Sequence, residues 1–206
     1  LFEPSEQLSV RFGGFAQDVS RAGQGTADYT FAGTPSGRSL EQRPPVAEPF
    51  DQRFRLVSGT VSYDFGSVSL TSISSFQTVE SDYASDFTSL YAPVLAVALG
   101  RSYSAVGAAQ AKATDKFVQE IRLAGAQSRP VEWLVGGFYT HETSGNLQQF
   151  LLRNLDGQAA ANDLFRLSIP SRYEESAAFG DLTYHLTEAF DASVGIRYAR
   201  NEQLFT

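Results

Sequence analysis

Val131-Glu-Trp-Leu-Val-Gly-Gly-Phe-Tyr-Thr-His-Glu-Thr143 is the stretch on which the fold turns. Val131, Trp133, Val135 and Tyr139 fall at alternate positions and so share one face. Side chains alternate with period 2 only along a β-strand. The same period recurs on either side. Phe117, Ile121 and Leu123 oppose Glu120 and Arg122. Leu182, Tyr184 and Leu186 oppose Asp181 and Thr183, and Ala192, Val194, Ile196 and Tyr198 oppose Ser193, Gly195, Arg197 and Asn201. Strands with one apolar and one wet face suit an antiparallel sheet. Working outward, the pattern predicts seven strands, at about Gln7–Gln17, Gln52–Tyr63, Val68–Val79, Phe117–Ala124, Val131–Thr143, Tyr173–Leu186 and Asp191–Leu204. The alternation is imperfect in the second strand, where Val57, Val61 and Tyr63 share a face but Phe54 and Leu56 take the other. The third strand carries serines on both faces.

The connections alternate in length. Asp64-Phe-Gly-Ser67, Ala126-Gln-Ser-Arg-Pro130 and Thr187-Glu-Ala-Phe190 are short and rich in turn-forming or polar residues, as hairpins require. The stretches Asp18–Asp51, Glu80–Lys116 and Ser144–Arg172 are long, all at the other end of the strands. Compact soluble domains rarely hold loops beyond about 12–15 residues. Short periplasmic turns opposite long extracellular loops are the rule in outer-membrane barrels. Trp133, Tyr63, Tyr184 and Phe190 lie within a few residues of short turns, where an aromatic girdle is expected. Seven strands are too few and odd in number for such a barrel, and open edges in hydrocarbon are costly. The 206 residues are therefore read as a barrel excerpt, incomplete at both ends. A second sheet packed over Trp133 and Val135 would defeat the membrane reading.

Composition removes other classes. The chain has 206 residues, a formal net charge of −7, two His and no Cys, so a disulfide framework, thiolate metal site or Cys nucleophile is excluded. The acidic balance argues against nucleic-acid binding, which requires clustered basic charge. No apolar run reaches the roughly 18–20 residues of a transmembrane helix; the best, Ala92–Leu99, is short and contains Pro93.

Three runs carry a family resemblance. They are Ser62-Tyr-Asp-Phe-Gly-Ser-Val-Ser-Leu-Thr-Ser-Ile-Ser-Ser-Phe-Gln77; Lys116-Phe-Val-Gln-Glu-Ile-Arg-Leu123 with Trp133-Leu-Val-Gly-Gly-Phe-Tyr139 and Glu142; and Phe179-Gly-Asp-Leu-Thr-Tyr-His-Leu-Thr187 with Gly195-Ile-Arg-Tyr198. In this order and spacing they resemble successive barrel hairpins of TonB-dependent outer-membrane receptors. The resemblance implies an all-β, antiparallel transmembrane β-barrel and a home in the outer membrane of a Gram-negative bacterium. It also implies import of a scarce nutrient, typically a ferric siderophore, haem, cobalamin or a glycan, with a ferric siderophore or other iron complex foremost. Lipopolysaccharide, the nutrient ligand and the TonB complex, reached through a plug domain outside this chain, would be its partners. The competing expectations are a passive porin-like channel and a soluble β-rich binding module.

Candidate residues follow. Glu120, Arg122, Asp181 and Arg197 are expected on the wet face, chiefly as charge pairs across strands. His141 and His185 lack a second ligand at metal-motif spacing, so no metal site is expected. The carboxylate pairs Asp82/Asp86 and Glu174/Glu175 have no nucleophile nearby, so no catalysis and no cofactor are expected. Gly13-Gly14 and Gly136-Gly137 lack the Lys-Ser/Thr of a phosphate loop and read as a bulge or a close backbone approach. Ligand contacts are expected in the long loops: Tyr29, Phe31 and Arg38; Tyr83, Tyr91, Arg101 and Tyr103; Phe150, Arg153 and Arg166. Arg pairs with an anionic chelate and Tyr stacks on it. Leu90–Leu99 is expected to form a short folded cap.

Overall fold

A computed structural model describes residues 1–206 except 25, 26, 28, 31, 35–42, 126–129, 161–164, 188 and 206. Seven strands pair antiparallel in chain order: β1 (Leu8–Arg21), β2 (Phe50–Asp64), β3 (Val68–Asp86), β4 (Ala105–Gly125), β5 (Val131–Arg153), β6 (Arg166–Thr187) and β7 (Phe190–Phe205). One helix, α1 (Thr88–Leu99), lies in the β3–β4 connection, where the cap was expected. β1 and β7 are the edges of the sheet. The β2–β3 hairpin turns on Gly66, whose φ of +89° is open to glycine and strained for other residues; its N–H donates to Asp64 Oδ1 at 2.7 Å.

All seven expected strands are present, and several run further than the alternation suggested. β4 begins at Ala105 rather than Phe117, and β5 ends at Arg153 rather than Thr143. These extensions, such as Ala105-Val-Gly-Ala-Ala-Gln-Ala-Lys-Ala113, have no apolar/polar alternation. Backbone pairing to the next strand holds them, and that leaves no mark in the side-chain pattern.

Pairing register shows how the faces join. Leu8, Tyr63, Leu70, Leu123, Val135, Gly180 and Ile196 form one row across all seven strands, on the apolar face. None of the described residues covers it: Val135 is 47% exposed and Ile196 77%. The apolar band does not follow the register rows. On β2 it runs through Val57–Tyr63 and on β4 through Phe117–Leu123. Yet Phe117 is level with His141, Glu174 and Glu202 on β5, β6 and β7. On those strands the band has shifted toward the short turns, to Val131–Tyr139, Leu182–Leu186 and Ala192–Tyr198. A level apolar belt cuts register rows diagonally when strands tilt against it, as they do in barrels.

The opposite face is polar. Hydroxyl pairs bridge strands at Ser62–Thr71 (3.3 Å), Thr114–Ser144 (3.1 Å) and Thr183–Ser193 (2.8 Å). Lys116 pairs with Glu142 at 3.3 Å and Arg197 with Glu175 at 2.7 Å. Glu120, Arg122, Asp181 and Arg197 all lie on this face. Arg197 pairs across strands as expected, whereas Arg122 pairs with Glu120 two residues away on its own strand. Arg197 reaches Glu175 and lies over the rings of Phe138 (5.2 Å) and Phe179 (6.0 Å). The Phe179 ring in turn lies on Gly136, where a Cβ would also come 2.8 Å from Ile121 O. That close approach accounts for a glycine mid-strand. Phe54 and Leu56 do lie on the polar face, Phe54 edge-to-face with Phe15 at 5.7 Å.

The apolar residues buried among those described are Val46, Ala84, Ala105, Val106, Ala108 and Leu152. All sit at the long-loop end. The accessible area is 14068 Å². A folded soluble monomer of this mass exposes about 9,400 Å². A sheet bare on both faces gives the excess.

Candidate functional site

The long-loop end is built by fastening both flanking segments to the tops of β3, β4 and β5. Asp86 Oδ1 accepts from the Val46 N–H (3.2 Å) and the Thr88 hydroxyl (2.6 Å). The Asp86 N–H donates to Glu48 Oε1 at 2.8 Å, and the Val106 N–H donates to Thr88 Oγ1 at 2.9 Å. Val106, fully buried, sits at the centre. This network starts α1, which has no side-chain cap of its own. The helix carries no charged residue and ends at Gly100 in the left-handed conformation.

Two side-chain rows occupy this rim. The first is cationic and aromatic. Arg21, Phe50, Tyr83 and Gln110 are in register across β1 to β4, on the polar face. The Arg21 guanidinium lies 4.4 Å from the Phe50 ring centre, and Phe50 is 6.3 Å from Tyr83. The Lys112 ammonium lies 5.5 Å from the Tyr83 ring, and the Tyr83 hydroxyl donates to Gln110 Oε1 at 2.6 Å. A cavity of about 310 Å³ opens here, lined by Arg21, Gln24, Phe50, Tyr83 and Ser85 among others. The second row is purely aromatic: Phe87–Tyr91 (5.7 Å), Tyr91–Phe150 (6.3 Å) and Phe150–Phe165 (6.0 Å). Phe150 lies two residues beyond Gln148, which is in register with Gln110, so the rows are neighbours on one face.

Of the loop residues singled out from sequence, the structure brings Tyr91 and Phe150 together and places Tyr83 in the cationic row. Tyr29 is exposed. Arg101 is exposed, Tyr103 half-buried, and Arg166 is exposed at the start of β6. The Arg153 guanidinium donates to Gly157 O at 3.2 Å and closes its own loop. Phe31 and Arg38 lie outside the described residues. Arg21, Phe50, Lys112, Phe87 and Phe165 were not anticipated. Phe50 and Tyr83 meet only because of strand register, which no local pattern displays.

The carboxylate pairs diverge. Asp82 is exposed on the apolar face while Asp86 organises the loop. Glu174 meets Arg172 (2.5 Å) and His141 (3.0 Å) on one face; Glu175 meets Arg197 and the Tyr173 hydroxyl (2.8 Å) on the other. His185 sits between Asp191 (2.7 Å) and Glu132 (3.3 Å) near the short turns. Among the described residues no group of three or more His, Asp or Glu converges as a metal site.

Comparison with known proteins decides what this sheet resembles. No family model matches the chain, and no curated protein matches it. Among solved structures, it superposes on the ferric yersiniabactin uptake receptor FyuA from Yersinia pestis with a TM-score of 0.71, over 97% of its own length, at 15% identity. The chain has the fold of a receptor β-barrel wall. It spans 28% of that receptor's chain.

Proposed function

We propose that this chain is part of the wall of an outer-membrane receptor that imports a scarce nutrient, an iron chelate, with TonB-coupled energy. The observation that carries the reading is the superposition of nearly the whole chain on an iron-chelate uptake receptor. Three features support it. The apolar band cuts the register diagonally and faces outward to lipid. The polar face lines the interior. The rim at the long-loop end offers cations and aromatic rings to an incoming anion. On this reading the belt of charges beyond the band, with Arg53, Arg55, Arg172 and Arg200 among carboxylates, meets lipopolysaccharide. TonB acts through a plug domain outside this chain. On this reading the chain is not an enzyme.

The test is deletion of the gene for the complete protein in its host, followed by iron-limited growth on defined ferric chelates. Loss of growth on one chelate, reproduced by removing TonB, is the expected result. Energy-independent leakage of small solutes through the purified protein in vesicles, with no growth defect, would instead identify a passive channel.

A further inference from the structure

His185 gathers three strands at the short-turn end. The β6–β7 ladder is irregular there, with a register shift between His185 and Thr187. The His185 N–H donates to Pro130 O at 2.9 Å, which ties β6 to the residue preceding β5. The ring reaches both neighbours. Its Nδ1 lies 2.7 Å from Asp191 Oδ1 on β7, and its Nε2 lies 3.3 Å from Glu132 Oε1 on β5. A neutral imidazole has one N–H and a lone pair on its other nitrogen. That lone pair would face a carboxylate, which only accepts. The imidazolium offers an N–H to each carboxylate. The other charged groups on this part of the polar face are also acidic: Asp181, four residues back along β6, and Asp64 at the end of β2, which line one cavity with Glu132. Arg129 and Glu188 lie outside the described residues. The His185 side chain is 35% exposed, so its proton exchanges with water.

We propose that His185 is a proton-operated clasp at the short-turn end of the sheet. Protonated, it holds β5 and β7 to β6 through Glu132 and Asp191. On losing its proton it keeps one carboxylate and releases the other. The folded arrangement favours the charged ring. The clasp therefore adds its stability in full below the ordinary imidazole value, near 6.5, and loses it as the pH rises above that value. The effect is small beside that of the backbone ladders, because the three side chains are partly exposed. It acts where the β6–β7 ladder is irregular, so the short turns are what it stiffens.

The complete protein, held in lipid nanodiscs, is prepared with isotope-labelled histidine for nitrogen NMR. His185→Gln identifies the His185 signals, or His185→Asn where the first variant does not fold. At pH 7, where a free imidazole is mostly neutral, both ring nitrogens of His185 are expected to carry a proton. Glu132→Gln with Asp191→Asn keeps the ring and is expected to leave it with one. A single N–H in the parent protein, or two in that double variant, would overturn the proposal. The urea midpoint, read by heat-modifiable gel mobility, tests the holding itself. Removing the ring is expected to lower the midpoint at about pH 6 and to leave it equal to the parent protein's at about pH 9. The same removal in the double variant is expected to change the midpoint at neither pH. A gap of equal size at both pH values, or no gap at pH 6, would also overturn the clasp. The device is the same in an importer and in a passive channel, so its failure leaves the import reading untouched.

Discussion

The same seven strands cross two regions that handle apolar surface in opposite ways. Toward the short turns, Val135, Ile121, Leu182 and Ile196 stand uncovered in a continuous band. Toward the long loops, Val46, Ala84, Val106 and Leu152 are buried by the chain's own segments. On the proposed reading the first region meets lipid, and the second, with its own small core, meets water. One antiparallel ladder carries both, and the side chains decide where each begins.

The largest test of this contrast is a charge in the band. Val135→Arg is expected to weaken folding into lipid vesicles by about 2–4 kcal/mol, the cost of a cation on the lipid face of a barrel. Thr183→Arg, on the polar face opposite Glu132, is expected to cost under about 1 kcal/mol. Equal losses, read as urea midpoints by heat-modifiable mobility, would erase the distinction between faces. Next in size is Gly136→Val. The new side chain must displace the Phe179 ring and crowd Ile121 O, for about 1–3 kcal/mol in the same assay.

The rim responds differently. Val106→Ala removes two methyl groups' worth of burial, about 1.6 kcal/mol. It is expected to speed proteolysis within 87–104 while vesicle insertion stays unchanged. Loss of insertion would mean that the rim core and the band fold as one unit. The smallest effect concerns Asp18, beyond the apolar band. Arg55, hydrogen-bonded to it at 2.7 and 2.8 Å, holds its carboxyl below the ordinary carboxylate range. A lowered folded-state value contributes stability above the unfolded value, near 3.9, that fades as pH falls through the folded one. Asp18→Asn is expected to lower the urea midpoint slightly at pH 7, and the gap is expected to narrow as pH falls below the ordinary carboxylate range. A gap that does not narrow with falling pH would assign the effect to packing rather than charge.

The band was legible in the sequence because a sheet with one apolar and one wet face alternates residue by residue. Val131, Trp133 and Val135 declare their face without reference to any neighbour. The rim was legible only in part. Tyr83, Tyr91 and Phe150 were identified as suitable types, and a cap over Leu90–Leu99 was expected. Their grouping was not visible, since Ala105–Ala113 carries no alternation and the partners of Tyr83 come from β2 and β4.

By itself the sequence determined the number of strands, their polarity and which side chains share a face, because a period of 2 is a local property of the backbone. Only the tertiary structure decided which residues stand level with one another. Register is set by pairing between strands far apart in the chain. It alone turned the apolar segments into a diagonal band, and it alone set Arg21, Phe50 and Tyr83 in one row.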